Sequence, residues 1–273
     1  MLRSLYSGVS GMRGFQTKLD VIGNNIANVN TVGFKGGRVM FKDILSQTVS
    51  GVTAPNGNES GGVNAKQIGL GVALSSIDTI HTPGSAMTTN VPTDLRIDGD
   101  GFFVVRAGEE DNYLTRAGNF TVDTERNLVN ADGLRVLDSE GAPIVIGEDV
   151  TAFSIANDGS IIAVQADGTS VPTGILIAVA KVANPSGLEK IGGNLYRVTP
   201  NANPGGTLDV AGATANNAAT GTGAIVSGQL EMSNVDLTAE FTEMIVAQRG
   251  FQANSRIITT SDEILQEVVN LKR

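Results

Sequence analysis

His81 is the one histidine of the chain, and there is no cysteine. A single imidazole with no thiolate beside it cannot assemble a metal cluster, and no base and orienting acid can be placed around a nucleophile from one histidine. His81 is therefore read as structural. Asp98-Gly99-Asp100-Gly101 opens like a calcium loop, but the third oxygen ligand and the closing glutamate are missing from their places, so a β-turn is expected. Gly69-Leu70-Gly71 opens like a dinucleotide-binding turn, yet Leu74 stands where the third glycine is needed. Asn58-Glu59-Ser60 and Asn119-Phe120-Thr121 fit the glycosylation pattern, which recurs by chance. The residues able to do chemistry do not converge, so no catalytic group, metal or cofactor is expected, and the chain is read as something other than an enzyme. A secreted β-fold hydrolase using paired aspartates would need a pocket of convergent carboxylates and would stay monomeric, and an adhesin-like surface module would leave the two terminal helices unexplained.

Those ends carry the strongest pattern. Over residues 1–30, Leu5, Met12, Leu19 and Ile26 lie seven apart, and Leu2, Val9, Gln16 and Gly23 form the companion column of a heptad. Ile22 and Val29 add to the stripe. Gly8, Gly11, Gly14 and Gly23 interrupt it, each costing an isolated helix roughly 1 kcal/mol relative to Ala, so this segment needs a partner to fold against. At the other end Leu230, Leu237, Met244, Phe251, Ile258 and Leu265 are spaced by seven, and Phe241, Ile245, Ile264, Val268 and Val269 widen the stripe. Asp236 suits a helix N-cap, Glu240 the positive end of the helix dipole, and Lys272 and Arg273 its negative end. One continuous helix is expected over 236–271. Two amphipathic terminal helices with no helical neighbours can bury their stripes only against each other or against other copies.

The middle reads as β-structure. Short apolar runs (Phe102–Arg106, Tyr113–Arg116, Phe120–Val122, Phe153–Ile155, Ile161–Gln165) alternate with turns at Gly108–Asn112, Asp132-Gly133, Asn157–Gly159 and Asp167-Gly168. Ile175–Val182 suits one continuous buried strand. The fold class is α+β: N- and C-terminal helices paired as a coiled-coil core, with a central, mainly antiparallel β domain forming a sandwich or irregular barrel. The expected organisation is a discontinuous helical domain over 1–33 and 234–273, an extended connection over 34–72, and a β domain over 73–233. Residues 48–66, around Asn56-Gly57, and 199–223 read as adaptable loops.

A net charge of −9 disfavours nucleic acid and anionic membranes as partners. No apolar run reaches the length of a membrane span or of a secretory signal, so no membrane insertion and no cleaved signal peptide are expected. Aromatic residues make up only 4% of the chain, which leaves few large anchors for a rigid interface.

Leu19-Asp-Val-Ile-Gly-Asn-Asn-Ile-Ala-Asn-Val-Asn-Thr-Val-Gly-Phe-Lys35 resembles the N-terminal signature of flagellar rod and hook proteins. Glu231-Met-Ser-Asn-Val-Asp-Leu-Thr-Ala-Glu-Phe-Thr-Glu-Met-Ile-Val-Ala-Gln-Arg-Gly-Phe-Gln-Ala-Asn-Ser255 resembles the matching C-terminal signature. Leu95–Phe103 and Thr115–Phe120 are similar to the first β domain of that family. The resemblance implies a subunit that polymerises with its own copies, leaves the cell unfolded through the flagellar type III export apparatus and sits in the hook or basal body outside the cell. Asp236-Leu-Thr-Ala-Glu-Phe241 and the closing Val269-Asn-Leu-Lys-Arg273 resemble hook proteins, and the short length resembles those of Gram-positive bacteria. The expectation is therefore a hook subunit, a flexible tubular joint passing torque from rod to filament, with a distal rod subunit as the alternative. Implied partners are the distal rod protein, the hook cap and the hook–filament junction proteins.

The expected subunit interface comprises Leu2, Leu5, Val9, Met12, Leu19, Ile22, Asn24, Asn25, Ile26, Asn28 and Phe34 at one end. At the other it comprises Leu237, Phe241, Met244, Ile245, Phe251, Ile258, Leu265 and Val268. Four asparagines among residues 24–30 are poor helix-interior residues, and their amides are expected to bond a neighbouring subunit's backbone. Gly33 is expected to cap the first helix, with Phe34 as the apolar contact after it.

Overall fold

The computed structural model describes residues 2–55, 61–108, 111–147, 150–165, 168–208, 210 and 212–271. The expectations on Asn56-Gly57, Asn58–Ser60, Asp167, Lys272 and Arg273 lie outside the described residues, as does the side chain of Leu2. The chain divides into two compact units. Met1–Ala27, Gly37–Thr79 and Asp236–Arg273 make the first, and Asn28–Gly36 with Ile80–Val235 make the second.

In the first unit α1 (Leu2–Ala27) and α2 (Leu237–Asn270) pack against each other. They run antiparallel: Gly8 lies beside Ile258, Gly11 beside Asn254, Phe15 beside Gly250, and Lys18 pairs with Glu243 at 3.0 Å. α2 starts as expected, with the Asp236 carboxylate accepting the Thr238 N–H at 2.9 Å, and Glu240 lies in its first turn. At 1.5 Å per residue its 34 residues span about 51 Å. α1 is shorter than expected: it ends at Ala27, not at Gly33.

The stretch 34–72, expected to be an extended connection, is largely paired. β1 (Gly37–Asp43) is antiparallel to β4 (Val72–Thr79), with a bulge at Met40/Phe41. β2 (Ser46–Ser50) is antiparallel to β3 (Lys66–Gly69). Ile44 N–H to Gly71 O, Leu70 N–H to Leu45 O, and a bridge between Thr53 and Val63 join these pairs into one two-stranded ribbon. α1 lies on β1 and β4.

The second unit is all antiparallel in its named pairs. Its main sheet has the order Glu189–Gly192, Leu195–Arg197, Asp111–Thr115, Phe102–Ala107, Arg135–Val136, Leu128–Val129, Thr121–Val122, with Val179–Ala180 also paired to Phe102–Ala107. A three-stranded sheet joins Val150–Ile155, Ser160–Gln165 and Ser170–Leu176. Two further pairs, Leu95–Asp98 with Ala224–Ser227 and Ala86–Thr88 with Gln229–Glu231, bring the C-terminal end of the unit back to its start. The run Ile175–Val182 is not one strand: it breaks after Leu176 and resumes at Val179.

Strand Phe102–Ala107 shows why four apolar residues stand in a row. Phe103 and Val105 enter one core with Leu95, Ile97, Phe120, Leu128 and Ile177, while Phe102 and Val104 enter a second with Leu114, Leu137 and Tyr196. Successive side chains of a strand point to opposite faces, so a strand buried on both faces must be apolar throughout. Phe103 and Phe120 meet edge to face at 5.2 Å. Asn157–Gly159 and Asp132-Gly133 form the expected turns, with both glycines at positive φ.

Candidate assembly interface

The helix seam is built mainly from small and polar residues, with Phe15, Ile22 and Ile258 as its large apolar members. On α1 it runs Gly8, Gly11, Phe15, Lys18, Ile22, Asn25, spaced three and four apart. On α2 it runs Glu240, Glu243, Ala247, Gly250, Asn254, Ile258. The glycines are what allow the approach: a Cβ on Gly11 would stand 2.9 Å from Asn254 Nδ2, and one on Gly250 2.6 Å from the Phe15 ring. The sequence reading took the α1 glycines as helix-weakening and placed the seam on Leu5, Met12, Leu19 and Ile26. Those four are half-buried, as is Val9, while Gly8, Gly11, Gly14, Ile22 and Asn25 are buried.

Asn25 is spent inside the subunit and is unavailable to a neighbour. It donates to Gly37 O at 2.8 Å and to Glu240 Oε1 at 2.9 Å, and accepts the Gly37 N–H at 2.9 Å. This fixes the start of β1 against both helices. Burial raises the Glu240 pKa, Asn25's hydrogen bond and Lys18 oppose that rise, and Glu243 adds to it. Asn24 is exposed, and Asn28 is half-buried, its side-chain oxygen accepting the Thr31 hydroxyl at 3.1 Å. Ile22 is buried in the first unit and Phe34 in the second, where Lys190 Nζ sits 4.9 Å above its ring, so neither is open to a neighbour.

On α2 the outlook differs. Met244, Ile258 and Leu265 are half-buried, and Leu237, Phe241, Ile245, Phe251 and Val268 are exposed. A second apolar row that the sequence reading did not separate from the first (Val246, Ala253, Ile257, Ile264, Val268, Leu271) winds along another face of the helix, and its large members are all exposed. Its spacing of three, four and seven was legible in the sequence, but the first stripe masked it. A groove of about 420 Å³ lies between α1 and the ribbon, lined by Tyr6, Val9, Arg13, Ile44, Leu70 and Leu74 among others. Val49, Val52, Val63 and Ile68 on the ribbon are also exposed. Apolar residues in such continuous rows on one unit are what a surface built for burial by other chains presents.

The second unit holds an ion cluster that sequence reasoning missed. Glu231 is 1% exposed, and its carboxylate accepts from Lys35 Nζ at 2.5 Å, the Gly84 N–H at 2.9 Å and Arg116 Nη1 at 3.2 Å. Lys35 Nζ also donates to Thr82 O, and Arg116 Nη2 to Gly99 O. Beside it, Asn234 accepts the Gly36 N–H at 2.8 Å and donates to Ile80 O at 2.8 Å. Gly33 belongs here: at φ +70° it donates its N–H to Glu231 O, and a Cβ there would lie 2.5 Å from Ala117 N. That close approach, not a helix cap, explains the glycine. Burial lowers the Lys35 pKa against the opposing pull of Glu231, with Arg116 lowering it further. His81 packs edge-on against Phe102 and Tyr196 and is lowered to about 4, chiefly by burial and then by the neighbouring cations Lys35, Lys190 and Arg116. Among the described residues no group of acids and histidines is arranged to hold a metal, and no helix is long and apolar enough to cross a membrane.

Comparison with known proteins accounts for both ends and the centre. Residues 5–35 match the family of flagella basal body rod proteins, 96–163 the D1 domain of the flagellar hook protein FlgE/F/G, and 226–271 the C-terminal region of flagellar basal body rod FlgEFG proteins. The chain is 57% identical over 273 residues to the flagellar basal-body rod protein FlgG of Bacillus subtilis, with all of both chains covered. It is 35% identical over 275 residues to the protein of that name from Borreliella burgdorferi, again covering both completely. Against the flagellar hook protein FlgE of the same Borreliella species it is 30% identical over an alignment of 451 positions. With helices at both ends, an antiparallel β centre and full-length relatives at this level, the chain belongs to the family of flagellar rod and hook axial proteins.

Proposed function

We propose that this chain is a rod subunit of the flagellar basal body, the distal rod alternative, in place of the hook subunit that its C-terminal motif suggested. The observation that carries this reading is end-to-end similarity at equal length. The 57% identity to a rod protein extends over all 273 residues of this chain and all of that one, whereas the hook alignment needs 451 positions to accommodate a chain of 273. A second observation favours it. The hook reading needed residues 48–66 to be an adaptable linker, but β2 and β3 pair across its two ends, with Ser50 opposite Lys66, and the Thr53–Val63 bridge extends the pairing into it. A paired ribbon resists bending more than the random coil of a Gly-rich linker.

In this reading the subunit is a structural element and performs no reaction. Copies assemble by burying the exposed rows of α2, the half-buried Leu5, Val9, Met12, Leu19 and Ile26 of α1, and the apolar residues of the ribbon. The α1–α2 seam buries few large apolar side chains, Ile22 fully and Phe15 and Ile258 in part, so burial against neighbouring copies supplies much of the helices' stability. Partners are further copies and the adjoining axial proteins, and the chain reaches its place through the flagellar export apparatus. The test is genetic and structural. Cells lacking this protein should yield basal bodies with a truncated rod and nothing beyond it. Basal bodies with a complete rod that lacked only the curved hook would restore the hook assignment.

A further inference from the structure

Two cations and one carboxylate are buried together in the second unit. Lys35 and Arg116 are 0% and 4% exposed, and Glu231 is the one buried acid between them. An uncompensated charge in a protein interior is costly unless a counter-charge reaches it. Arg116 also has an N–H to spare: of its five donors, Nη1 serves Glu231 and Nη2 serves Gly99 O, while Nε is buried without a partner. Its guanidinium lies over the Phe102 ring, 5.3 Å from the centroid.

A cavity of about 150 Å³ adjoins this group, lined by Arg116, Phe102, His81, Lys181, Asp100 and Pro185 among others. Lys181 brings a second cation to the wall, its Nζ 3.2 Å from Gly221 O and 3.6 Å from Asp100 Oδ2. The Asp100 carboxylate is 74% exposed, so water screens its charge from the cavity. His81 contributes a ring that packs edge-on against Phe102 and Tyr196 at the cavity wall. The groups facing this ring are Lys35, Lys190, Arg116 and Lys181 on the positive side, Asp100 on the negative, the backbone of Pro185, which hydrogen-bonds to it, and neutral Tyr196.

From the excess of buried positive charge and the cavity lined by Arg116 and Lys181, we infer that this pocket is a binding site for one small monovalent anion, chloride or a compact carboxylate such as formate. The volume admits an ion of that size and excludes bulky ones. Arg116 and Lys181 supply charge-assisted donors, the interactions with the greatest strength per contact. A bound anion balances the buried trio and strengthens the cluster around Glu231.

His81 reports occupancy directly, because the chain has one histidine and its imidazole resonance needs no assignment among rivals. The full-length protein is titrated by NMR in sodium chloride and, separately, in sodium camphorsulfonate at equal ionic strength. The expected result is a saturable rise of the His81 pKa with chloride, by about one unit at saturation, since an opposite charge a few ångströms away favours the imidazolium. Camphorsulfonate gives only the smaller, unsaturating drift of screening. Lys181→Met, at a side chain 40% exposed and outside the buried cluster, should weaken the apparent chloride affinity several-fold while leaving the fold intact. A sodium formate arm at pH 6, read as a rise in melting temperature, distinguishes a site for compact carboxylates from one for chloride alone. Identical behaviour in chloride and camphorsulfonate would overturn the proposal, leaving the charge to be settled by loss of the Lys35 proton. Chloride affinity unchanged in Lys181→Met would overturn the placement of the site.

Discussion

Replacing Glu231 by glutamine removes one charge and almost no volume, so its effect isolates the ion cluster. In the native unit the carboxylate accepts from Lys35 Nζ, Arg116 Nη1 and the Gly84 N–H. Glutamine can keep one of these contacts through its oxygen, but its NH2 then faces a donor. Lys35 and Arg116 are left as buried cations without a counter-ion. Breaking a buried pair in this way costs about 3–5 kcal/mol. For a domain of this size each kcal/mol lowers the melting temperature by about 2–4 °C, so Glu231→Gln should lower the transition of the second unit by roughly 6–20 °C. Calorimetry paired with near-UV circular dichroism reads it, since Tyr113 and Tyr196 lie in that unit. Lys35→Met should cost less, because Arg116 and Gly84 still hold Glu231. The double substitution should cost less than the sum of the singles by at least about 1 kcal/mol. A drop below about 2 °C for Glu231→Gln, or strict additivity in the cycle, would refute the reasoning that charge pairing holds these segments.

Four further outcomes follow from geometry described above. Gly33→Ala imposes a left-handed backbone on a residue with a Cβ and drives that Cβ into the Ala117 backbone, so a loss of about 2–4 kcal/mol is expected in urea unfolding of the second unit. Gly250→Leu should push Phe15 out of the helix seam and reduce helical circular dichroism and assembly, while Gly23→Ala, where nothing lies within 4 Å, should be tolerated or stabilising. Stability should fall as the pH drops from about 6.5 towards 4: below 6.5 the unfolded chain protonates its histidine, while folded His81, at about 4, resists the proton. Because the ring is partly solvent-screened, this contribution is about 1–2 kcal/mol, and it should be missing from the pH profile of His81→Phe. Removing residues 237–273 should leave the second unit folded, by near-UV circular dichroism, and abolish polymerisation. Filaments from the truncated chain would show that α2 is dispensable for assembly.

What the sequence disclosed and what it hid divide along physical lines. The extent of α2 and its Asp236 cap were readable because a long heptad run, a capping residue and the lack of proline all favour one element. The strand at Phe102–Arg106 was readable from its apolar residues, but its burial on both faces was not; that expectation fell on Ile175–Val182, which breaks after Leu176. The α1–α2 contact itself was not legible because hydrophobic periodicity finds rows of large side chains, whereas α1 and α2 meet largely through glycines, Ala247, Asn25 and Asn254, with Phe15, Ile22 and Ile258 among them. Gly8, Gly11 and Gly250 look like defects in a list of propensities and act as contact surfaces in three dimensions. Asn25 was read as reaching outwards, but its amide matches both the N–H and C=O of Gly37, a pairing set by tertiary approach. The ribbon over 37–79 was hidden by its Gly/Ser/Asn composition, which reads as loop whether or not the backbone pairs. The cluster of Lys35, Arg116 and Glu231 spans nearly 200 residues of sequence, and no local pattern joins its members.

The chain passes between its two units four times, after Ala27, Gly36, Thr79 and Val235. On the second unit's side, three of these passages are knotted together by side chains: Lys35 and Gly36, Ile80 and Thr82, and Glu231 with Asn234. A protein joined by a single tether fails when one peptide bond is cut. Here a protease nick in any one passage leaves three covalent routes and a cluster of charge-assisted bonds intact. The subunit is redundant in the engineering sense, so damage accumulates in it before it parts.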